Sequence, residues 1–219
     1  YRPDSGNNFA FITWAGMIGV VSGMNDKGLT ITLNAANSAI PTSARTPVSI
    51  LARKVLQYAS NIQEAYEIID EADVFVAECF LVASATDGKA VVIEKSVDDC
   101  TIYDSGSDVL VLTNHYQSDK LASSKLNKEA LVDGSSPYRH ARTLQLIDSI
   151  AVHTPQTVAS VLRDQRGMDG VDIGMCNEKA VNQLIAHHSV IFRPERLEMW
   201  VSANPYQLGA YICYNLNDI

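Results

Sequence analysis

The sequence predicts an α+β fold in which antiparallel sheets pack face to face with helices outside them. Three observations carry that prediction. Strand-like blocks alternate with pairs of helical segments, in the order strands, two helices, strands, two helices, strands. Neighbouring strands are joined by short turns rich in Gly, Asn and Asp, which build hairpins and make the pairing antiparallel. At 219 residues, 47% hydrophobic and 19% charged, the chain is long enough to bury a sizeable core, and no linker or repeat divides it. Residues 1–219 therefore read as a single domain.

Taken in order, residues 9–22 (FAFITWAGMIGVVS) are strand-like with a break at Gly16. Asn25-Asp26-Lys27-Gly28 is a turn, and the alternating LTITLN beyond it completes a hairpin. Thr46 and Pro47 mark a helix start, with Thr46 as the cap and Pro47 in the first helical position, ahead of VSILARKVLQYA. Asn61 and Glu64 have capping-box spacing and open a second helix that runs to about Glu71. CFLVASA and KAVVIEKS flank Asp87-Gly88, a further hairpin signal. TIYDS and DVLVLTN are expected to extend the same sheet. The polar 117–136 stretch reads as a long loop or short helix, followed by helices at about 138–150 and 155–164, the second opened by Thr154-Pro155. Residues 165–180 are glycine-rich and loop-like, and HHSVIFR, LEMWVS and AYICYNL close the chain as strands.

The net charge of −8 and the scattered basic residues give no surface for nucleic acid or an anionic membrane. No apolar run approaches the ~20 residues of a membrane span. Cys79, Cys100, Cys176 and Cys213 show no C-x-x-C spacing, so a zinc site is not expected, and neither metal nor cofactor is implied. Cys79 and Cys213 read as buried strand thiols. His187-His188 reads as part of a strand with one ring turned to solvent. The composition is that of a soluble chain, for which a secreted or periplasmic setting stays open, as does a homo-oligomer.

Two asparagines stand out. Asn34 ends the apolar run LTITLN, and Asn114 ends VLVLTN, followed at once by His115 and Tyr116. An asparagine at a strand end often only starts a turn. Two amide NH2 groups arriving at the mouth of a sheet can also donate to a developing oxyanion, a contribution of several kcal/mol to acyl transfer. Spacing alone does not decide between these.

SGMNDKGLTITLNAANS resembles the G-M-N-x-K-G-L…L-N segment of the acyl-CoA:6-aminopenicillanate acyltransferase-like and choloylglycine hydrolase-like N-terminal-nucleophile hydrolases. VLTNHY resembles their V-L-T-N segment, SSPYRHAR their S-x-x-R element, and the closing strands those of the acyltransferase-like branch. The resemblance runs over nearly the whole chain in the right order. It implies a four-layer αββα sandwich, oxyanion-hole roles for Asn34 and Asn114, and an active-site arginine at Arg139, for which a surface ion pair is the plainer alternative. His115 and Tyr116 would line the substrate pocket, and the substrate would be a small acyl amide. The loops 35–45, 115–136 and 165–180 would form the pocket walls.

The family's nucleophile is an N-terminal cysteine whose own α-amino group serves as base. No residue of this chain matches it. The expectation is that the N-terminal strands and the cysteine lie upstream of Tyr1; a companion polypeptide carrying the thiol, and a binding module without chemistry on the same sandwich, are the alternatives.

Overall fold

The computed structural model describes residues 1–37 and 43–218, so residues 38–42 of the 35–45 loop, expected to form part of the pocket wall, lie outside the described residues. Six strands, β1 (Phe9–Ile12), β2 (Ser22–Asn25), β3 (Leu29–Ala35), β4 (Glu78–Ser84), β5 (Lys89–Lys95) and β6 (Cys100–Tyr103), form one antiparallel sheet in chain order. A second antiparallel sheet holds β7 (Val190–Arg193), β8 (Glu198–Ser202) and β9 (Tyr211–Asn215). The helices are α1 (Val48–Tyr58), α2 (Ile62–Asp70), α3 (Asp119–Ala122), α4 (Lys125–Asp133), α5 (Ser136–Asp148) and α6 (Pro155–Leu162).

Side chains alternate faces along each strand, so the register sorts the large sheet into two surfaces. Leu33, Phe80 and Ile93 stand in one row, and Ile31, Val82 and Val91 in the next. These face α1 and α2 and meet Leu51, Val55, Leu56, Ile62 and Ile69 in the main core. Apart from the half-buried Leu33, each of these side chains contributes about 1.5–3 kcal/mol by its burial. On the other surface Cys79 and Val92 form a smaller cluster with Tyr116, Leu121, Leu110 and Leu112. That surface also faces β7: Thr30, Thr32 and Leu81 share a hollow with Val190 and Phe192. The Ser22 hydroxyl meets His188 Nε2 at 2.9 Å and ties β2 to the segment entering β7. Helix α6 packs on β7 and on α5.

The first recognisable motif turns out to hold the fold together. A Cβ on Gly23 would stand 2.9 Å from the Ala10 carbonyl oxygen and 2.6 Å from a Leu56 methyl, so glycine suits the close packing of β2 against β1 and α1. Asn25 is fully buried. Its Nδ2 donates to the Leu56 and Ala59 carbonyls at 2.9 and 2.7 Å, at the end of α1. Its Oδ1 accepts from the Lys27 and Leu29 amides and shapes the hairpin turn. Gly28 takes φ +71° there, a left-handed backbone that other residues resist.

Several sequence expectations need correction. Thr46 does not cap α1; its N–H bonds the Asp73 carbonyl and Pro47 takes the N-cap position. Residues 108–114 join no ladder, because their polar bonds go to side chains instead. Ser105 Oγ donates to the Val109 carbonyl, Gln117 Nε2 to the Val111 carbonyl, and the Asn114 N–H to Ser136 Oγ. The 117–136 stretch is mostly helical, as α3 and α4. Cys213 is exposed, since β9 is an edge strand open on both faces. His187 and His188 precede β7 rather than lying in it. The Asn61 cap, the Asp87-Gly88 hairpin and the helix start at Thr154-Pro155 are as expected, and Thr154 adds a capping box with Thr157.

Candidate active site

The residues singled out by the sequence gather around the end of β3. Asn34 pairs with Cys79, and Cys79 with Glu94, so their side chains share the surface on which residues 110–118 pack. Ala35, the next residue, turns its carbonyl away from β4, and Asn114 Nδ2 donates to it at 3.0 Å. The Asn114 Oδ1 accepts from Arg139 Nη2 at 2.8 Å. One amide therefore links the residue beside Asn34 to a guanidinium on the first turn of α5. One N–H of that NH2 group is left available beyond the bond to Ala35.

The chain positions Asn114 with a buried hydroxyl network. Ser136, at the start of α5, places its Oγ 2.7 Å from the Asn114 N–H, 2.8 Å from His115 Nδ1 and 2.9 Å from Thr113 Oγ1. Thr113 Oγ1 in turn donates to the Ser136 carbonyl. With the Ser136 proton on Thr113, His115 Nδ1 is left to donate to Ser136. Burial lowers the basicity of His115, and the neighbouring His140 and Arg139 push the same way, which suits a neutral ring in this network. Behind it, Glu94 is completely buried. It accepts from the Gln117 N–H at 2.5 Å and the Ser118 N–H at 3.2 Å, and so anchors the chain beyond Tyr116.

Asn114 and Arg139 open into a cavity of about 490 Å³ that Ser135 and Ser136 also line, with Asn37, Glu129, Asp133 and Glu178 around it. Burial lowers the pKa of the Arg139 guanidinium, while the neighbouring Glu178 favours its charged form. Arg139 Nε is buried without a partner among the described residues.

Set against the sequence expectations, Asn114 and Arg139 come together, and Asn34 precedes Ala35, whose carbonyl takes the Asn114 amide. Asn34 is not among the described residues lining their cavity. His115 and Tyr116 lie behind it. His115 is held by Ser136, and the Tyr116 hydroxyl donates to the Lys95 carbonyl at 3.3 Å. Burial and the nearby Cys79, Glu94 and Glu78 raise the Tyr116 phenol far above its ordinary value. None of the four cysteines lines the cavity among the described residues. Burial, then Glu94 and Glu78, push the Cys79 thiol strongly up, and burial lifts Cys100 to about 11. Both are poor nucleophiles.

A profile of the acyl-coenzyme A:6-aminopenicillanic acid acyl-transferase family matches residues 2–204. The chain belongs to that family. Among solved structures, a variant of the conjugated bile acid hydrolase from Clostridium perfringens is similar at 14% identity and TM-score 0.61, covering 95% of this chain and 76% of that one. Penicillin V acylase from Agrobacterium tumefaciens is similar at 17% identity and TM-score 0.60, over 92% of this chain and 67% of that one. Among curated proteins none matches. At these identities the likeness shows the fold, two antiparallel sheets of the N-terminal-nucleophile hydrolase type.

Within the acyl-transferase family frame, the residues that sequence reading passed over are Asn25 and Ser136. Both sit in the motifs that carry the resemblance. Both are buried in the structure and satisfied there by several hydrogen bonds, and residue type alone gave no signal of that burial.

Proposed function

We propose that the chain carries the oxyanion-binding half of a cysteine amide hydrolase or acyltransferase. The coarse class follows from family membership. The nucleophile in this reading is an N-terminal cysteine thiol encoded upstream of Tyr1. Its proton passes to the α-amino group as sulfur attacks the amide carbonyl carbon. The carbonyl π electrons move to oxygen, and that oxyanion is held by the amide NH2 groups of Asn114 and Asn34. Collapse of the intermediate breaks the C–N bond, the amine leaves with the proton, and a thioester remains. Water or a second amine then takes the acyl group.

Arg139 orients Asn114 through the 2.8 Å bond to Oδ1, which turns the NH2 end outward. The same guanidinium favours a thiolate nearby. The Ser136–His115–Thr113 network fixes the Asn114 backbone, so that the donor is aimed before the charge develops. The observation that supports this reading most is the Arg139–Asn114–Ala35 chain of hydrogen bonds, which ties the Asn114 amide to the residue that follows Asn34.

The test is mass spectrometry of the complete reading frame, quenched within milliseconds of mixing with an acyl amide. The expected result is a mass increase equal to the acyl group, on the N-terminal cysteine. A processed N-terminal cysteine that never acylates, across aliphatic and aromatic acyl amides, would end the proposal.

A further inference from the structure

The cavity at Asn114 carries a charge pattern of its own. Among the described residues its lining holds one cation, Arg139, and three carboxylates, Glu129, Asp133 and Glu178. Arg139 is already engaged by Asn114 Oδ1, and Glu178 is the charged neighbour whose field acts on it. Glu129 has an exposed contact with Lys125 at 3.8 Å, a pair that water screens and that leaves the cavity's own balance little changed. Asp133 and Glu178 have no ion pair among the described residues. The helix ends do not reverse this. The carboxyl end of α4 and the amino end of α5 meet at Gly134-Ser135, and their opposite partial charges cancel there. The cavity is therefore net negative beside the proposed oxyanion site. Among the described residues of the lining, Arg139 is the one cation, and its Nη2 is taken by Asn114.

Glu178 has a second neighbour. It also borders a shallow hollow of about 310 Å³ floored by Met175, Leu184 and Ile185, both of the last two being exposed. One carboxylate thus stands between the amide-binding end of the site and an apolar surface.

On the reading of the site given above, we propose that its substrates are acyl amides carrying a positive charge, such as N-acylated diamines, with the ammonium group received by Glu178 and Asp133. Anionic conjugates, in which the amine portion carries a carboxylate or sulfonate, are disfavoured by the same field. Glu178 is then a specificity-determining residue. An ammonium gains, and a carboxylate loses, through the same two side chains, so the discrimination between them is about tenfold or more at low salt and shrinks as salt screens it.

The experiment uses one acyl chain on three amines: 1,4-diaminobutane, butylamine and glycine. With the complete reading frame, kcat/KM should fall in that order, by about tenfold between first and last. Glu178→Gln should lower the ratio of the first to the second, and 0.5 M NaCl should compress the series. Hydrolysis of all three at equal efficiency, or a preference for the glycine conjugate, overturns the charge proposal and leaves the amidase reading standing. If no conjugate is hydrolysed, the amidase reading fails, and binding decides the charge proposal separately. Titration of the chain with N-acetyl-1,4-diaminobutane, and with N-acetylglycine, is followed by the Asn114 side-chain amide resonances in 15N-labelled protein. Saturable shifts with the cationic compound, weakened in Glu178→Gln, support the proposal. Shifts with the anionic compound, or with neither, overturn it.

Discussion

Glu78 begins β4 opposite Ala35 on one side and Lys95 on the other, at the same end of the sheet as Asn34. It is only 5% exposed, and its Oε1 has no partner among the described residues. Lys95 does not relieve it, since the ammonium donates to the Asp70 carbonyl at 2.9 Å. Burial lifts the carboxyl from 4.5 to about 8, with the Asn34 and Cys79 backbone amides pulling weakly the other way. In the unfolded chain the group ionises near its ordinary value, while in the folded chain it stays protonated. The folded state therefore binds the extra proton, and stability falls as pH rises from about 4.5 to about 8, then levels off. The full loss is on the order of 4–5 kcal/mol. At about 2.5 kcal/mol/M that is a drop of roughly 1.5–2 M in the urea midpoint. His115, His140 and His188 are all made less basic by burial, and they act in the opposite sense, adding stability as pH rises toward the ordinary histidine range. The quantity to measure is therefore the difference between Glu78→Gln and the parent protein. Urea unfolding at pH 5, 6, 7 and 8 should show the variant gaining on the parent at every step. Two curves that run parallel from pH 5 to pH 8 would refute the reasoning.

Three further predictions test the framework around the site. Asn25→Ala removes four backbone hydrogen bonds from a fully buried position and should cost about 2–4 kcal/mol by chemical unfolding. Arg142 and Asp164 form a two-pronged pair at 2.9 Å, each side chain 8% exposed, that joins α5 to the chain after α6. Arg142→Ala should cost about 3–5 kcal/mol in thermal unfolding, and adding Asp164→Ala should recover part of it, because the stranded carboxylate is gone. Ser136→Ala leaves the Asn114 N–H and His115 Nδ1 without their shared partner. It should lower kcat of the complete enzyme by about tenfold with KM little changed, and Ser136→Thr should restore part of the loss.

The fold was legible where local chemistry acts alone. Asp87-Gly88 fixes a tight turn whatever lies around it, and Asn61 and Thr154 cap their helices with their own side chains. It was not legible where partners decide. Residues 108–114 have the composition of a strand, yet a strand needs a neighbour, and here Ser105, Gln117 and Ser136 take the backbone groups. Cys213 sits in an apolar run that would be buried in a central strand and is exposed at an edge. At the site, strand-end position pointed to Asn34 and Asn114, and the family resemblance pointed to Arg139. Only the folded chain shows that Arg139 turns the Asn114 amide, and that Asn25, from the most recognisable motif, serves α1 instead. The acidic surround of the cavity was hidden for the same reason. Glu129 and Asp133 lie one turn apart on α4, but Glu178 joins them only in three dimensions.

The account rests on Asn114 as the donor that meets the oxyanion. Single-turnover acylation of the complete enzyme compares Asn114→Ala with the parent at saturating acyl amide, after circular dichroism and unfolding show that the variant is folded. The predicted result is an acylation rate lower by about 10²–10³-fold with substrate binding nearly unchanged. An acylation rate equal to that of the parent would contradict it.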